Sequence, residues 1–353
     1  MKKLLSKVKR KHEPSGSPGR ITNETIAEHR ERILAEGRKF KYPMQYTKHR
    51  VLLFTLAVVI CAVIGFGSYV GLQLYSFQSY DAFMLRVTQV VPLPVASIDG
   101  EWVRYSDYLN NLHSSVHYLT TKEAVNFKSE SEKQQLNYQK RLALDKAIRN
   151  TLVKKIARDN SISVSSQEVD DFIDKQISAS TLGVSKDVYK QIIRDYYDWS
   201  FDEYRTNVGQ QLLQKKVNAQ LDSDARSKAE RLLEDIRAGK QFVDAIKELS
   251  KEDASKSQDN DAAGFVSAKS DDPDGLIEVA SKLKQDEVSS IIEGTEGLYV
   301  IKLLEKRDNG DVRFAKLFVA YKMLINRLDE LNTNGKIAEY IGVPALVNPT
   351  TRQ

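Results

Sequence analysis

The chain has 353 residues, with 53 Lys and Arg against 48 Asp and Glu, so its formal net charge at pH 7 is only +5. Its single cysteine is Cys61, which excludes an intrachain disulfide, and excludes a thiolate nucleophile or Cys-based metal site from the region that follows. The five histidines lie at positions 12, 29, 49, 113 and 117, so a histidine-based site after position 117 is excluded as well.

The first 50 residues form a strongly basic arm. They carry 14 Lys and Arg against five Glu, whereas residues 51–353 carry a net negative charge. The segment 2–12 is basic enough for contact with anionic lipid or nucleic acid. The Pro, Ser and Gly residues that fill positions 14–19 favour a disordered topology signal instead, so we predict no nucleic-acid partner. Residues 22–40 predict one short helix within the arm.

Residues 51–74 form one apolar run, without charge, amide or proline before Gln73. At a rise of about 1.5 Å per residue, such a run crosses a hydrocarbon core of roughly 30 Å as a helix. A cleaved signal peptide is the alternative, but it has a shorter apolar stretch, and here 50 residues precede the run. Because the basic residues precede the run, we expect a single-pass cell-membrane anchor with a cytoplasmic N-terminus and extracytoplasmic C-terminal domains. Gly67 and Gly71 leave a homodimer through this helix open.

Residues 75–93 are predicted to be a spacer between the anchor and the first domain. Pro92 and Pro94 favour extended backbone at its end. A short β-hairpin is then predicted, because the turn residues Asp99 and Gly100 lie between two short apolar segments.

Residues 94–220 are predicted to form an all-α domain after this hairpin. Ser106 is the expected cap of its first helix. Ser165 and Ser200 each have a Glu three residues later, which is the capping-box pattern of a helix start. One helix has apolar residues at every fourth position, which predicts a buried stripe: Leu144, Ile148, Leu152 and Ile156.

Residues 221–321 predict a small α+β domain in the order α-α-β-α-β-β. Its two first helices are separated at Gly239, and its last two strands are rich in Val, Ile, Leu and Phe. Residues 322–353 are predicted to be a C-terminal helix over 322–342 and a loose tail after Pro344.

Three stretches in this order resemble the SurA/PrsA/PpiD group of extracytoplasmic foldases, over roughly residues 94–321. They are VASIDGEWVRYSDYL, LDKAIRNTLVKKIARDNSISVSSQEVDDFI, and AERLLEDIRAGKQFVDAIKELS with LKQDEVSSIIEGTEGLYVIKLLEKRD. The resemblance implies a single N-terminal transmembrane helix, an all-α chaperone domain and a small α+β parvulin-like domain. A parvulin domain catalyses rotation about X–Pro bonds and needs no cofactor.

The family site usually has two His on neighbouring strands, and this sequence departs from it. Tyr299 stands at one His position, and Lys316 stands at the other. The family's first strand is missing before the domain, so we expect residues 312–319 to take its place in the sheet, beside 297–304. Tyr299 and Lys316 then form a polar pair in a residual site or serve a structural role.

Two further family positions carry over to Glu252 and Leu276. Glu252 falls at the Cys or Asp position, and Leu276 falls at that of the pocket Phe. Glu252 and its neighbour Asp253 are read either as an acid pair or as solvated loop carboxylates. The site is therefore predicted to be degenerate.

Neither a metal nor a cofactor is predicted. His113 and His117 are four residues apart on one predicted helix, but the sequence between them lacks the Glu of the zinc-hydrolase motif. Two exposed helix histidines are the simpler interpretation.

Three functions remain open at this point. The first is a membrane-anchored chaperone that binds unfolded exported polypeptides, with weak or absent prolyl isomerase activity. The second is an active peptidyl-prolyl cis-trans isomerase. The third is a non-enzymatic envelope scaffold.

Overall fold

The computed structural model describes residues 23–41, 44–179, 183–270 and 272–345. The basic segment 2–12 and nearly all of the predicted tail lie outside these ranges. The described residues divide into two compact units, one ending at Val70 and the other beginning at Gly71.

Two helices make up the first unit. Helix α1 (Asn23–Lys41) corresponds to the helix predicted at 22–40. Helix α2 (Met44–Gly71) is followed by a π-helical turn at Leu72–Ser76. By length and composition, the stretch Arg50–Ser76 could cross a membrane as a helix. Its most apolar segment of 18 residues is exposed throughout.

The region predicted as a spacer, residues 75–93, belongs to the second unit and contains a helix that the sequence analysis did not predict. Helix α3 (Ala82–Val90) begins after Asp81, whose carboxylate accepts hydrogen bonds from the N–H groups of Phe83 and Met84. Met84 is buried. The two prolines that suggested extended backbone lie beyond the end of this helix, and the Asp81 cap is the signal that was overlooked.

A three-stranded sheet lies at the start of the helical domain. Strands β1 (Pro94–Ile98) and β2 (Glu101–Arg104) form the predicted hairpin, with φ of 47° at Asp99 and 84° at Gly100. Both values fit a primed turn, which matches the strand twist.

The helices that follow the hairpin build the core of this domain. Helix α4 begins at Tyr105, so Ser106 is inside the helix and buried, and the prediction that it caps the helix is wrong. Both predicted capping boxes form, at Ser165 and Ser200. Of the predicted stripe, all but Ile156 is fully buried. The helices are α4 (Tyr105–Thr121), α5 (Glu130–Asp159), α6 (Ser166–Ala179), α7 (Lys186–Tyr197) and α8 (Phe201–Leu221).

The α+β domain follows with the predicted elements in the predicted order, but it has one helix and one strand more than predicted. Its helices are α9 (Ser223–Arg237), α10 (Phe242–Lys247), α11 (Lys251–Lys256) and α12 (Leu276–Lys282). Its strands are β3 (Phe265–Val266), β4 (Ile292–Glu293), β5 (Gly297–Lys306) and β6 (Val312–Ala320).

The four strands form one antiparallel sheet in the order β3-β6-β5-β4. The last strand in sequence, β6, therefore lies inside the sheet and pairs with β5 as predicted. Its alternate residues face opposite sides. Leu317 and Val319 pack against α9 on one side, while Phe314 packs near α12 on the other.

The chain then returns to the helical domain. Helix α13 (Met323–Thr333) ends before Gly335, which has φ of 64°, so the helix predicted to run to 342 is wrong in its second half. Strand β7 (Ile337–Glu339) follows and pairs with β1. Arg141 of α5 donates to both carboxylate oxygens of Glu339, at 3.0 and 2.7 Å.

One buried carboxylate joins the places where the chain enters and leaves the α+β domain. Asp222 is 4% exposed. Its Oδ1 accepts from Ala225 N at 3.0 Å, which caps α9. Its Oδ2 accepts from Lys322 N at 2.6 Å and from Met323 N at 2.9 Å, at the start of α13.

Replacing this carboxylate is expected to destabilise the fold strongly. In Asp222→Ala, three backbone N–H groups lose a charged acceptor, and we expect the free energy of unfolding to fall by about 3–5 kcal/mol. Urea unfolding of the full chain in detergent, followed by circular dichroism, measures this. Asp224→Ala is the matched control, because Asp224 is exposed in the same helical turn; its effect is expected to stay below about 1 kcal/mol. Equal effects of the two substitutions would contradict the role given to Asp222.

Candidate functional site

A cavity of about 240 Å³ lies on the α12 side of the four-stranded sheet. Its apolar wall consists of side chains from β3, α12 and β6, and its polar lining comes mainly from the loops. The apolar residues are Val266, Pro273, Leu276, Ile277 and Phe314. The polar residues are Gln258, Asp272, Asp274 and Lys316. Such a cavity is apolar enough for a proline ring, with charged groups at its edge.

Lys316 and Leu276, two of the four residues predicted from the sequence, line this cavity together. Lys316 is held by main-chain pairing, since its N–H and C=O both bond to Gln258, at 2.8 and 2.7 Å. Among the described residues, its ammonium group has no hydrogen-bond or ion-pair partner. It is therefore free to donate to a group that enters the cavity.

Tyr299, the third predicted residue, is not among the residues that line the cavity. It is opposite Phe318 in the β5–β6 pairing, and the two rings are 5.0 Å apart. Since Phe318 and Lys316 are two residues apart on β6, Tyr299 and Lys316 are diagonal neighbours on one face. Burial raises the pKa of Tyr299, and the negative charge of the cavity residue Asp274 raises it further. The phenol therefore remains protonated at neutral pH, and it donates to the Asp274 carboxylate.

Glu252, the fourth predicted residue, does not line the cavity. It is exposed on α11. Its neighbour Asp253 is 1% exposed and structural, because it accepts from Lys228 Nζ at 3.0 Å and from Ala320 N at 3.1 Å. Burial acts to raise the pKa of Asp253, but these hydrogen bonds outweigh it and the pKa is lowered. Glu252 is solvated, whereas Asp253 is buried and paired with Lys228. The two side chains are therefore neither an acid pair nor two solvated loop carboxylates.

His113 and His117 contact the C-terminal end of α7 rather than each other. His113 Nε2 is 2.9 Å from Asp198 Oδ2, and His117 Nε2 is 3.2 Å from the Asp195 carbonyl. Among the described residues, no three His, Cys, Asp or Glu side chains are grouped so that they could hold a metal ion.

A second cavity, of about 400 Å³, adjoins the first and lies between the two domains. It shares Asp272, Pro273, Asp274 and Ile277 with the first cavity. Its other wall comes from helices α6 and α8 of the helical domain: Phe172, Lys175, Gln176 and Lys215. Lys175 also forms an ion pair with Glu278 of α12. These four residues line both cavities, and the pair of adjoining cavities is called the groove from here on.

Sequence reasoning missed most of this groove. Phe314 could have been found, because it alternates with Lys316 along a strand that was predicted. Phe172 and Lys215 could not, since their contact with the α12 region depends on how two domains pack.

Comparisons with known proteins match this architecture. The SurA-like N-terminal domain family matches residues 43–218. The PPIC-type peptidyl-prolyl isomerase domain family matches residues 212–305. The chain is a SurA-like protein with a parvulin domain. The parvulin match ends before β6, as expected if this strand has moved to the far end of the domain.

Individual relatives support the same assignment over a shorter span. The chain is 32% identical over 117 residues to Chaperone SurA of Shigella dysenteriae serotype 1 (strain Sd197), which covers 33% of this chain and 27% of the relative. It is 33% identical over 107 residues to Chaperone SurA of Photorhabdus laumondii subsp. laumondii, covering 30% and 24%. The match thus spans about a quarter of the length of these relatives.

The geometry of the parvulin domain predicts that position 297 accepts only glycine. A Cβ at Gly297 would overlap the carbonyl oxygen of Val319 and the ring of Phe318. We expect Gly297→Ala to separate β5 from β6 and lower the free energy of unfolding by about 1–3 kcal/mol. The control is Gly264→Ala, where no described atom lies within 4 Å of the added carbon. Thermal unfolding of the two variants and the parent measures the difference, and an unchanged midpoint for Gly297→Ala would contradict this packing.

Proposed function

We propose that this SurA-like protein is a membrane-anchored extracytoplasmic chaperone that binds unfolded exported polypeptides and has weak or absent prolyl isomerase activity. The observation that carries the proposal is the groove formed by the two adjoining cavities. A folded client does not fit a groove of this size, whereas an extended segment of an unfolded chain does. The segment would contact α6 and α8 on one wall and α12 on the other.

The groove suits binding because it combines apolar and charged side chains. Phe172 and Ile277 offer apolar surface, which favours transfer of client side chains out of water by about 25 cal/mol per Å². Lys215 and Asp274 are charged groups of opposite sign on its lining. A surface of this kind accepts many sequences rather than one.

Catalysis is expected to be weak because of what lines the deeper cavity. Rotation about an X–Pro bond has a barrier of about 20 kcal/mol, and a catalyst lowers it by placing the amide in an apolar, desolvated environment that favours the twisted state. Lys316 and Asp272 bring charge to the cavity instead. The Lys316 ammonium would bind the planar amide through its carbonyl oxygen, and binding the ground state does not accelerate rotation.

An active isomerase is the second candidate, and the apolar wall favours it. Leu276, Ile277 and Phe314 remain in place to hold a proline ring. Tyr299 and Lys316 would then act as donors at the positions of the family histidines.

An isomerisation assay separates these two proposals. We expect the full chain in detergent to leave the cis-to-trans rate of an X–Pro tetrapeptide within twofold of a heat-inactivated control, because Lys316 and Asp272 bring charge to the cavity. A rate at least tenfold above that control, removed by Phe314→Ser, would establish the isomerase instead. Binding of the same peptide, followed by fluorescence anisotropy, checks that the groove is occupied.

Suppression of client aggregation tests the chaperone itself. We expect an equimolar amount of the full chain in lipid nanodiscs to delay aggregation of a chemically unfolded client. Ser270→Trp would fill part of the groove, and it should raise the amount needed several-fold, whereas Ser255→Trp, at an exposed position on α11, should not. Light scattering measures both. Absence of protection at several-fold molar excess would favour the envelope scaffold.

A further inference from the structure

Helix α3 has an exposed apolar side that nothing in the described protein covers. Phe83 is 53% exposed and Val90 is 83% exposed. They are seven residues apart, so they lie on one face of the helix, with Val87 and Arg86 between them. The opposite face is buried: Met84, Leu85 and Thr88.

This orientation of α3 is fixed by its contacts. Asp81 caps its first turn. At its other end, Gln89 donates to Glu203 at the start of α8, with a distance of 3.1 Å between Nε2 and Oε1. The buried side packs against α4. The exposed side therefore cannot turn inward without loss of these contacts.

The helix begins close to the end of the apolar stretch Arg50–Ser76. Just after this stretch, Ser79 bonds back to Gln73 through its N–H at 2.9 Å and its hydroxyl at 2.6 Å. Phe83 is four residues beyond Ser79, a span of at most about 14 Å. Phe77, at the turn itself, is 70% exposed.

These positions identify what would cover the face. Water is a poor solvent for three large apolar side chains on one short segment. The lipid headgroup region accepts such side chains from a helix lying in its plane, and it attracts the guanidinium of a residue such as Arg86 to phosphate. We propose that Phe77 and the α3 face formed by Phe83, Arg86, Val87 and Val90 lie in the headgroup region of the membrane.

This inference rests on the proposed membrane anchoring. If both are true, α3 is a second, monotopic contact that holds the SurA-like domain against the bilayer. The domain then does not hang from a free linker, and its orientation to the membrane surface is set by this contact as well as by the anchor.

Site-directed nitroxide labelling of the full chain in vesicles of phosphatidylcholine and phosphatidylglycerol tests the proposal. In a Cys61→Ala background, Phe83→Cys and Val90→Cys carry the label on the proposed face. Val188→Cys is the matched control, because Val188 is 42% exposed on α7. Collision rates with oxygen, which concentrates in lipid, and with a water-soluble nickel chelate are compared. We expect the oxygen-to-nickel ratio at positions 83 and 90 to exceed that at 188 several-fold.

A label on the native Cys61 distinguishes failure of the α3 contact from failure of the membrane anchor. If Cys61 reports lipid while positions 83 and 90 match position 188, the α3 contact is overturned and the anchor stands. If the label at Cys61 reports water, both the proposed anchor and the proposed α3 contact are overturned. If positions 83 and 90 are inaccessible to both probes, a protein covers the face, and the lipid contact is again overturned.

Discussion

The buried carboxylate of Asp222 is the contact on which the two-domain arrangement depends. The chain enters the parvulin domain at α9 and leaves it at α13, and Asp222 accepts backbone N–H groups from both. An isolated buried carboxylate would be costly, but three donors stabilise this one. The end of β6, which leads into α13, is thereby held close to the start of α9, while pairing with β3 and β5 keeps the strand inside the sheet. The face that carries Lys316 and the groove beside α6 both follow from this arrangement.

Local elements were predictable where a short pattern specifies them. The Asp99–Gly100 turn, the Ser200 capping box and the alternation along β6 each require only neighbouring residues, and each is found in the structure. Helix α3 was missed because its cap was overlooked. Strand β7 could not be predicted, since its three residues become a strand only by pairing with β1. Short strands have little intrinsic preference of their own.

The residues of the candidate site were likewise predictable only in part. Lys316 and Leu276 were placed by family resemblance, and the structure brings them into one cavity. Glu252 was placed by the same means and is exposed on α11, because the helix presents Asp253 to the interior instead. The adjoining cavity was invisible to sequence reasoning, since its walls belong to helices that meet through tertiary contacts such as Lys175 with Glu278.

The pairing of β7 with β1 also determines when the helical domain can complete its folding during synthesis. Residues 96–98 must wait for residues 337–339, so the helical domain is completed only after the whole parvulin domain has been made. Contacts between such distant segments slow folding, because a long loop must close before they form. During synthesis, β1 therefore has one unpaired edge for as long as the rest of the chain is emerging. The four strands of the parvulin domain pair with one another, so this sheet is able to form before β1 gains its second partner.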